Sequence, residues 1–145
     1  MRMDGSVAGV FVPGRTTKLS RPVIGWRVPA GFPSPGEDYV EGRIDLSRDL
    51  VRHPLATYYV RVDGDSMEPL IRPGALLMVD RMAESKEGDI VIARVADELC
   101  VKRLHLEEGG QIWLLSENSA YEPIVIAGET DFEVWGRVMY SIQQH

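Results

Sequence analysis

The sequence predicts a mostly β domain, a compact curled sheet or half-barrel with one short helix and a flexible N-terminal arm. Three observations carry that prediction. Seven short β-branched or apolar runs follow one another between residues 57 and 142, bounded by Gly, Pro, Asn and Asp. No long helical pattern alternates with them, which argues against a parallel α/β architecture. The first 30 residues, by contrast, hold Pro13, Pro22 and Pro29 with Gly5, Gly9, Gly14 and Gly25, and show no sustained period.

Taken in order, residues 1–30 read as the arm, residues 31–56 as an extended segment plus a helix, and residues 57–145 as the β-rich domain. Gly31-Phe32-Pro33-Ser34-Pro35-Gly36 is extended because proline fixes its own backbone and restricts the residue before it. Leu46 to Arg52 is predicted as the helix, ended by His53-Pro54. Thr57 to Val62 is the first strand of the domain, followed by Ala75 to Asp80 and, after a Gly88 turn, by Asp89 to Val95. A hairpin through Ala96-Asp97-Glu98 leads into Leu99 to Leu106. Gln111 to Ser116, Pro123 to Ile126 and Phe132 to Ile142 complete the set.

Length and charge narrow the function. The chain has 145 residues, 44% hydrophobic and 26% charged, and a formal charge of −6; a chain of this size buries roughly 70% of its unfolded surface in one domain. That charge is unevenly spread. Residues 1–30 carry Arg2, Arg15, Lys18, Arg21 and Arg27 against Asp4, so the remaining 115 residues hold 11 basic and 21 acidic side chains. An acidic body disfavours direct DNA binding, which needs a basic face. The lone Cys100 cannot pair within the chain and points to a reducing compartment. No apolar run approaches the roughly 20 residues of a membrane span, and the basic residues before Val28-Pro29-Ala30 do not suit a secretory signal. A cytoplasmic protein is therefore expected.

Several chemistries lack their residues. No Gly-rich loop ends in Lys-Ser/Thr, and His53, His105 and His145 have no ligand spacing, so neither a nucleotide loop nor a metal site is expected, and no cofactor is required. A Ser-His-Asp triad has no sequence signal, and His53 and His105 read as surface residues. Two positions remain. Ser66, in Asp63-Gly64-Asp65-Ser66-Met67, follows a strand at a sharp exit where backbone N–H groups of Asp65 and Ser66 could face a developing oxyanion. The same composition also suits an ordinary turn. Lys102 shares a strand face with Cys100, Leu104 and Leu106, opposite Arg103 and His105. Burial disfavours an ammonium and turns lysine into a neutral base; a strand-edge lysine that snorkels to water fits the same pattern.

At this point the residues carry a resemblance. Gly64-Asp65-Ser66-Met67, the run Arg72-Pro73-Gly74-Ala75-Leu76-Leu77-Met78-Val79-Asp80, Gly88 to Ala93 and Val101-Lys102-Arg103-Leu104 are similar to the LexA/UmuD-type serine/lysine autopeptidase family. Upstream, Ala30-Gly31-Phe32-Pro33-Ser34-Pro35 and His53 to Tyr58 resemble its UmuD-type members, as do Asn118 to Ile124 and Val134-Trp135-Gly136-Arg137-Val138. The resemblance covers about residues 30–140. It implies Ser66 as nucleophile, Lys102 as general base, backbone N–H groups at Asp65 and Ser66 as oxyanion donors, and Ala30-Gly31 as the bond the protein cuts in itself. It further implies a homodimer, cleavage promoted by a RecA filament in the DNA-damage (SOS) response, and a shortened product that joins a UmuC-type Y-family translesion polymerase. Three other readings compete: a repressor's dimerisation module, a signal-peptidase relative, and a non-catalytic domain that keeps the fold. The first wants a helix-turn-helix, the second a membrane anchor, and the third has no use for both Ser66 and Lys102.

Overall fold

The computed structural model describes residues 7–11, 21–24 and 40–145. The Ala30–Gly31 bond lies outside the described residues. Among the described residues, ten strands and one short α-helix follow in the order β1 (Val7–Phe11), β2 (Arg21–Ile24), β3 (Val40–Ile44), α1 (Leu46–Leu50), β4 (Thr57–Val62), β5 (Leu76–Asp80), β6 (Ile90–Val95), β7 (Glu98–Leu106), β8 (Ile112–Leu115), β9 (Ile124–Ile126) and β10 (Phe132–Ile142), with a 3-10 turn at Pro54–Ala56 leading into β4. Eight strands form one antiparallel sheet in the order β1-β4-β5-β10-β6-β7-β8-β9, curled into a half-barrel, and β2 and β3 pair separately. The mostly β fold class and the single short helix are as the sequence predicts, and β4 to β10 lie within a residue or so of the predicted runs.

The arm and its connection differ from the sequence reading, which placed no strand before residue 57. β1 pairs with β4, with Val10 opposite Val60 and Phe11 opposite Tyr59, and β2 pairs with β3. These pairings are long-range, so the local Pro/Gly composition hid them. The helix is also shorter than predicted and stops at Leu50, because Val51 is already extended (φ −82°, ψ 111°) two residues ahead of His53-Pro54. Its start is well capped. Asp45 accepts from the backbone of Ser47 and Arg48, and the Asp45 N–H in turn donates to Asp49 Oδ2 at 2.7 Å.

Alternation along β6 and β7 builds two cores. Ile92 and Val101, opposite one another, join Val60, Leu77, Val79 and Met67 on one side of the sheet. Val91, Ala93, Cys100 and Leu104 join Leu114 on the other. Each fully buried aliphatic side chain contributes about 1.5–3 kcal/mol, so the two central strands are held from both faces. β10 reaches both cores by a register shift between Val134 and Gly136. Gly136 is required there because a Cβ would lie 2.6 Å from Val79 Cγ1.

Candidate active site

Ser66 stands four residues beyond β4 in a loop that folds inward. Gly64, at φ 82°, turns the chain in a conformation that favours glycine. Met67 and Ile71 then plug into the core at 1% and 2% exposure and pin the loop from beneath. Turn hydrogen bonds from Glu68 N–H to the Asp65 carbonyl (3.1 Å) and from Ile71 N–H to the Met67 carbonyl (2.8 Å) fix the path between them. Ser66 is fully buried, and its hydroxyl has no hydrogen-bond partner among the described residues. An unsatisfied buried hydroxyl is costly. Its retention is what a reacting group would require.

Lys102 is buried at 3% exposure in the middle of β7. Strand alternation places it with Cys100 and Leu104, as the sequence predicts, and both of those are buried. Leu106 departs from that prediction and is 44% exposed, because β7 there runs beyond the core toward the Glu107–Gly110 turn. The opposite face is not simply a solvent face either, since Val101 is fully buried. The ammonium is not snorkelled. Lys102 Nζ donates to Ser116 Oγ at 2.9 Å and lies 5.8 Å from the centre of the Tyr121 ring. Its neighbour Cys100 shows how dry this face is: burial pushes the thiol up to about 11, with the positive Lys102 pulling the other way.

One loop, residues 116–121, brings the two sites together. Ser116 holds Lys102, Asn118 N–H donates to the Ser66 carbonyl at 2.9 Å, and Asn118 Nδ2 donates to the Asp65 carbonyl at 3.2 Å. Tyr121 closes the circuit, its hydroxyl donating to Asp65 Oδ1 while its ring faces Lys102. The loop is itself anchored from the other face of β7, where Arg103 bonds Glu117 at 2.5 Å and the Gly88 carbonyl at 2.6 Å. Ser116, Asn118 and Tyr121 were not singled out as site residues from sequence. Asn118 and Tyr121 fall within the Asn118 to Ile124 run that carries the resemblance, and Ser116 ends the predicted strand Gln111 to Ser116, but neither signal assigned them a role.

The histidines fall elsewhere. His53 Nδ1 meets the buried Asp80 carboxylate at 2.6 Å, so this residue is tied into the domain rather than simply exposed. His105 lies between Glu87 (2.8 Å) and Glu107 (2.7 Å), which raise its pKa. Among the described residues, no group of three or more His, Cys, Asp or Glu side chains could hold a metal ion. No helix among them is long and apolar enough to cross a membrane.

A curled, mostly β domain with a buried serine and a buried lysine joined by one loop defines a class of protein with a candidate Ser/Lys site. Comparison with known sequences narrows that class to a family. Residues 22–139 match the model of the Peptidase S24-like family, and the chain belongs to it. It is 46% identical over 101 residues to Protein SamA of Salmonella typhimurium, covering 69% of this chain and 71% of that protein. It is 39% identical over 121 residues to Protein MucA of Salmonella typhimurium, covering 82% of each. To LexA repressor 1 of Pseudomonas syringae it is 40% identical over 126 residues, which is 84% of this chain and 61% of the repressor.

Proposed function

We propose that the protein is a self-cleaving peptidase of the DNA-damage (SOS) response, with Ser66 as nucleophile, Lys102 as general base and Ala30–Gly31 as the bond cut. The observation that carries this reading is the 116–121 loop, which holds Lys102 through Ser116 and the Asp65-Ser66 backbone through Asn118. A serine hydroxyl becomes nucleophilic when a base takes its proton, and a desolvated amine can do so without histidine. Neutral Lys102 Nζ takes the Ser66 proton as Oγ bonds to the Ala30 carbonyl carbon. The oxyanion so formed is stabilised by backbone N–H groups at Asp65 and Ser66. The Ala30–Gly31 C–N bond then breaks, and Lys102 passes its proton to the Gly31 amine. Water hydrolyses the resulting ester and restores Ser66.

The resemblance to UmuD-type members extends the proposal to regulation. The shortened chain acts as a homodimeric subunit of a UmuC-type Y-family polymerase, and a RecA filament promotes the cut. The similarity to LexA repressor 1 favours a second reading, the cleavable half of a repressor. Co-purification of the shortened chain with a Y-family polymerase separates the two.

Intact-mass analysis of wild type, Ser66→Ala and Lys102→Ala tests the chemistry. Wild type is expected to lose residues 1–30 in alkaline buffer or with an activated RecA filament, and each variant to cut at least about a hundredfold more slowly. Because the base acts neutral, the wild-type rate should rise with pH toward about 10, the ordinary lysine range. A rate flat or falling over that interval, or a variant that cuts like wild type, overturns the assignment.

A further inference from the structure

We infer that the edge of β4 is a docking site for an apolar, extended segment of a partner protein, and that β1 of the arm occupies this site until the arm is cut. The inference rests on the proposed cut at Ala30–Gly31. β1 lies before that bond in the chain and β4 after it, yet the two are paired in one sheet. Among the described residues β1 is an edge strand of that sheet, with β4 as its one paired neighbour. Cutting the chain converts β1 from a tethered strand into a separate peptide. Tethering supplies an effective concentration in the millimolar range, and its loss lets a weakly held strand leave.

Several features make β1 weakly held. It has five residues, and a register shift between Val7 and Gly9 interrupts its ladder. Val10 and Phe11 remain 40% and 52% exposed, and Val7 packs against the core from a half-buried position. Beyond it lies a cavity of about 540 Å³, lined by Val7 to Val10 on one side and by Asp97, Glu98 and Leu99 on the other. β1 is therefore not packed flush against the β6–β7 hairpin.

Departure of β1 leaves a bare edge on β4, a row of backbone donors and acceptors running beside Tyr59, Val60 and Arg61. Such edges are templates for a further strand, and proteins rarely leave one open. The strand seated there defines what the edge accepts. Val7-Ala8-Gly9-Val10-Phe11 is uncharged and apolar, runs antiparallel to β4, and sets Val10 opposite the fully buried Val60. Asp97 and Glu98 on the facing wall of the cavity disfavour a segment with acidic side chains. By the template of β1, the occupant is an apolar segment without acidic side chains, added as an antiparallel strand.

The test uses the full chain and does not depend on cleavage. A fluorescent peptide with the sequence of residues 5–13 is titrated into wild type and into two variants that loosen β1 through exposed positions, Val10→Pro and Phe11→Asp. Each variant is expected to bind the peptide at least tenfold more tightly than wild type. A peptide N-methylated on the amides that face β4 should lose that gain. Equal binding to wild type and variants overturns the proposal, as does binding indifferent to N-methylation. Self-association of the variants in place of peptide binding overturns it too, by making a second copy the occupant. Failure of wild type to cut its arm in the mass analysis would remove the release step while leaving these outcomes readable.

Discussion

Strand β7 and strand β1 belong to the same eight-stranded sheet and differ in almost every quantity that holds a strand in place. β7 has nine residues and is paired on both sides, to β6 and β8. Cys100 and Val101 point into opposite cores and both are fully buried. β1 has five residues, one paired strand among the described residues, an interrupted register and two strongly exposed apolar side chains. The lysine of the candidate site sits on the strand that cannot leave. The strand proposed for release sits where departure costs least. The proposed self-cleavage calls for this division, because the proposed nucleophile and base would have to outlast a cut that removes the arm.

Core truncation is the strongest way to break that comparison. Leu114→Ala, in the core under β7, is expected to cost about 2–5 kcal/mol, whereas Val7→Ala on β1 should cost about 1 kcal/mol or less. Denaturant midpoints at constant slope measure both. Native-state hydrogen exchange adds a local view, with β1 amides opening far more readily than those of β7. Comparable costs, or comparable exchange, would make β1 an integral strand and remove the basis for its release.

Alkaline pH sharpens the same contrast through Cys100. Its thiol is held up at about 11 by burial, against 9.0 in an exposed cysteine, and its Sγ donates to the Ala93 carbonyl at 3.7 Å. The unfolded chain therefore loses this proton at lower pH than the folded chain does. The contribution is fully present below pH 9.0 and is lost as pH rises toward 11. Wild type should lose stability across that window more steeply than Cys100→Ala, as read from denaturant midpoints at several pH values. The thiol should also resist iodoacetamide at pH 8.5 in the native state. Rapid alkylation would show that β7 opens locally and is not the fixed strand described above.

Legibility in the sequence followed the same division. β4 to β10 were readable because each is a contiguous β-branched or apolar run ended by its own turn, such as Ala75 to Asp80 or Phe132 to Ile142. β1 to β3 were not, because what makes Val7–Phe11 a strand is the edge of β4, some fifty residues away. The burial of Lys102 could be anticipated from alternation with Cys100 and Leu104. That alternation did not foretell the burial of Val101, since a period of two cannot reveal a strand covered on both faces. The inward fold of the Ser66 loop depends on Met67 and Ile71 entering a core assembled from distant strands. The roles of Ser116, Asn118 and Tyr121 depend on β8 ending beside Lys102, which only the assembled sheet determines.

The smallest effect concerns the turn between β6 and β7. Val95 pairs with Glu98, so Ala96 and Asp97 form a two-residue loop, and Ala96 takes φ 53°. A left-handed conformation costs an L residue roughly 1–2 kcal/mol and favours glycine at such a hairpin position. The backbone is held there from both sides. Ala96 N–H donates to the Asp131 carbonyl at 2.8 Å, and Arg94 donates to the Ala96 carbonyl at 2.8 Å. Glycine relieves the strain but gives the unfolded chain more freedom, worth about 0.4–1 kcal/mol in the opposite direction. Ala96→Gly should therefore stabilise the domain by about 0.5 kcal/mol, measured by denaturant midpoint. Asp97 and Glu98 of this turn also wall the cavity beside β1. If β1 is an independent edge strand, its hydrogen exchange should stay unchanged while β7 gains protection. A rise in β1 protection matching that of β7 would join the two strands into one cooperative unit and defeat the distinction between them.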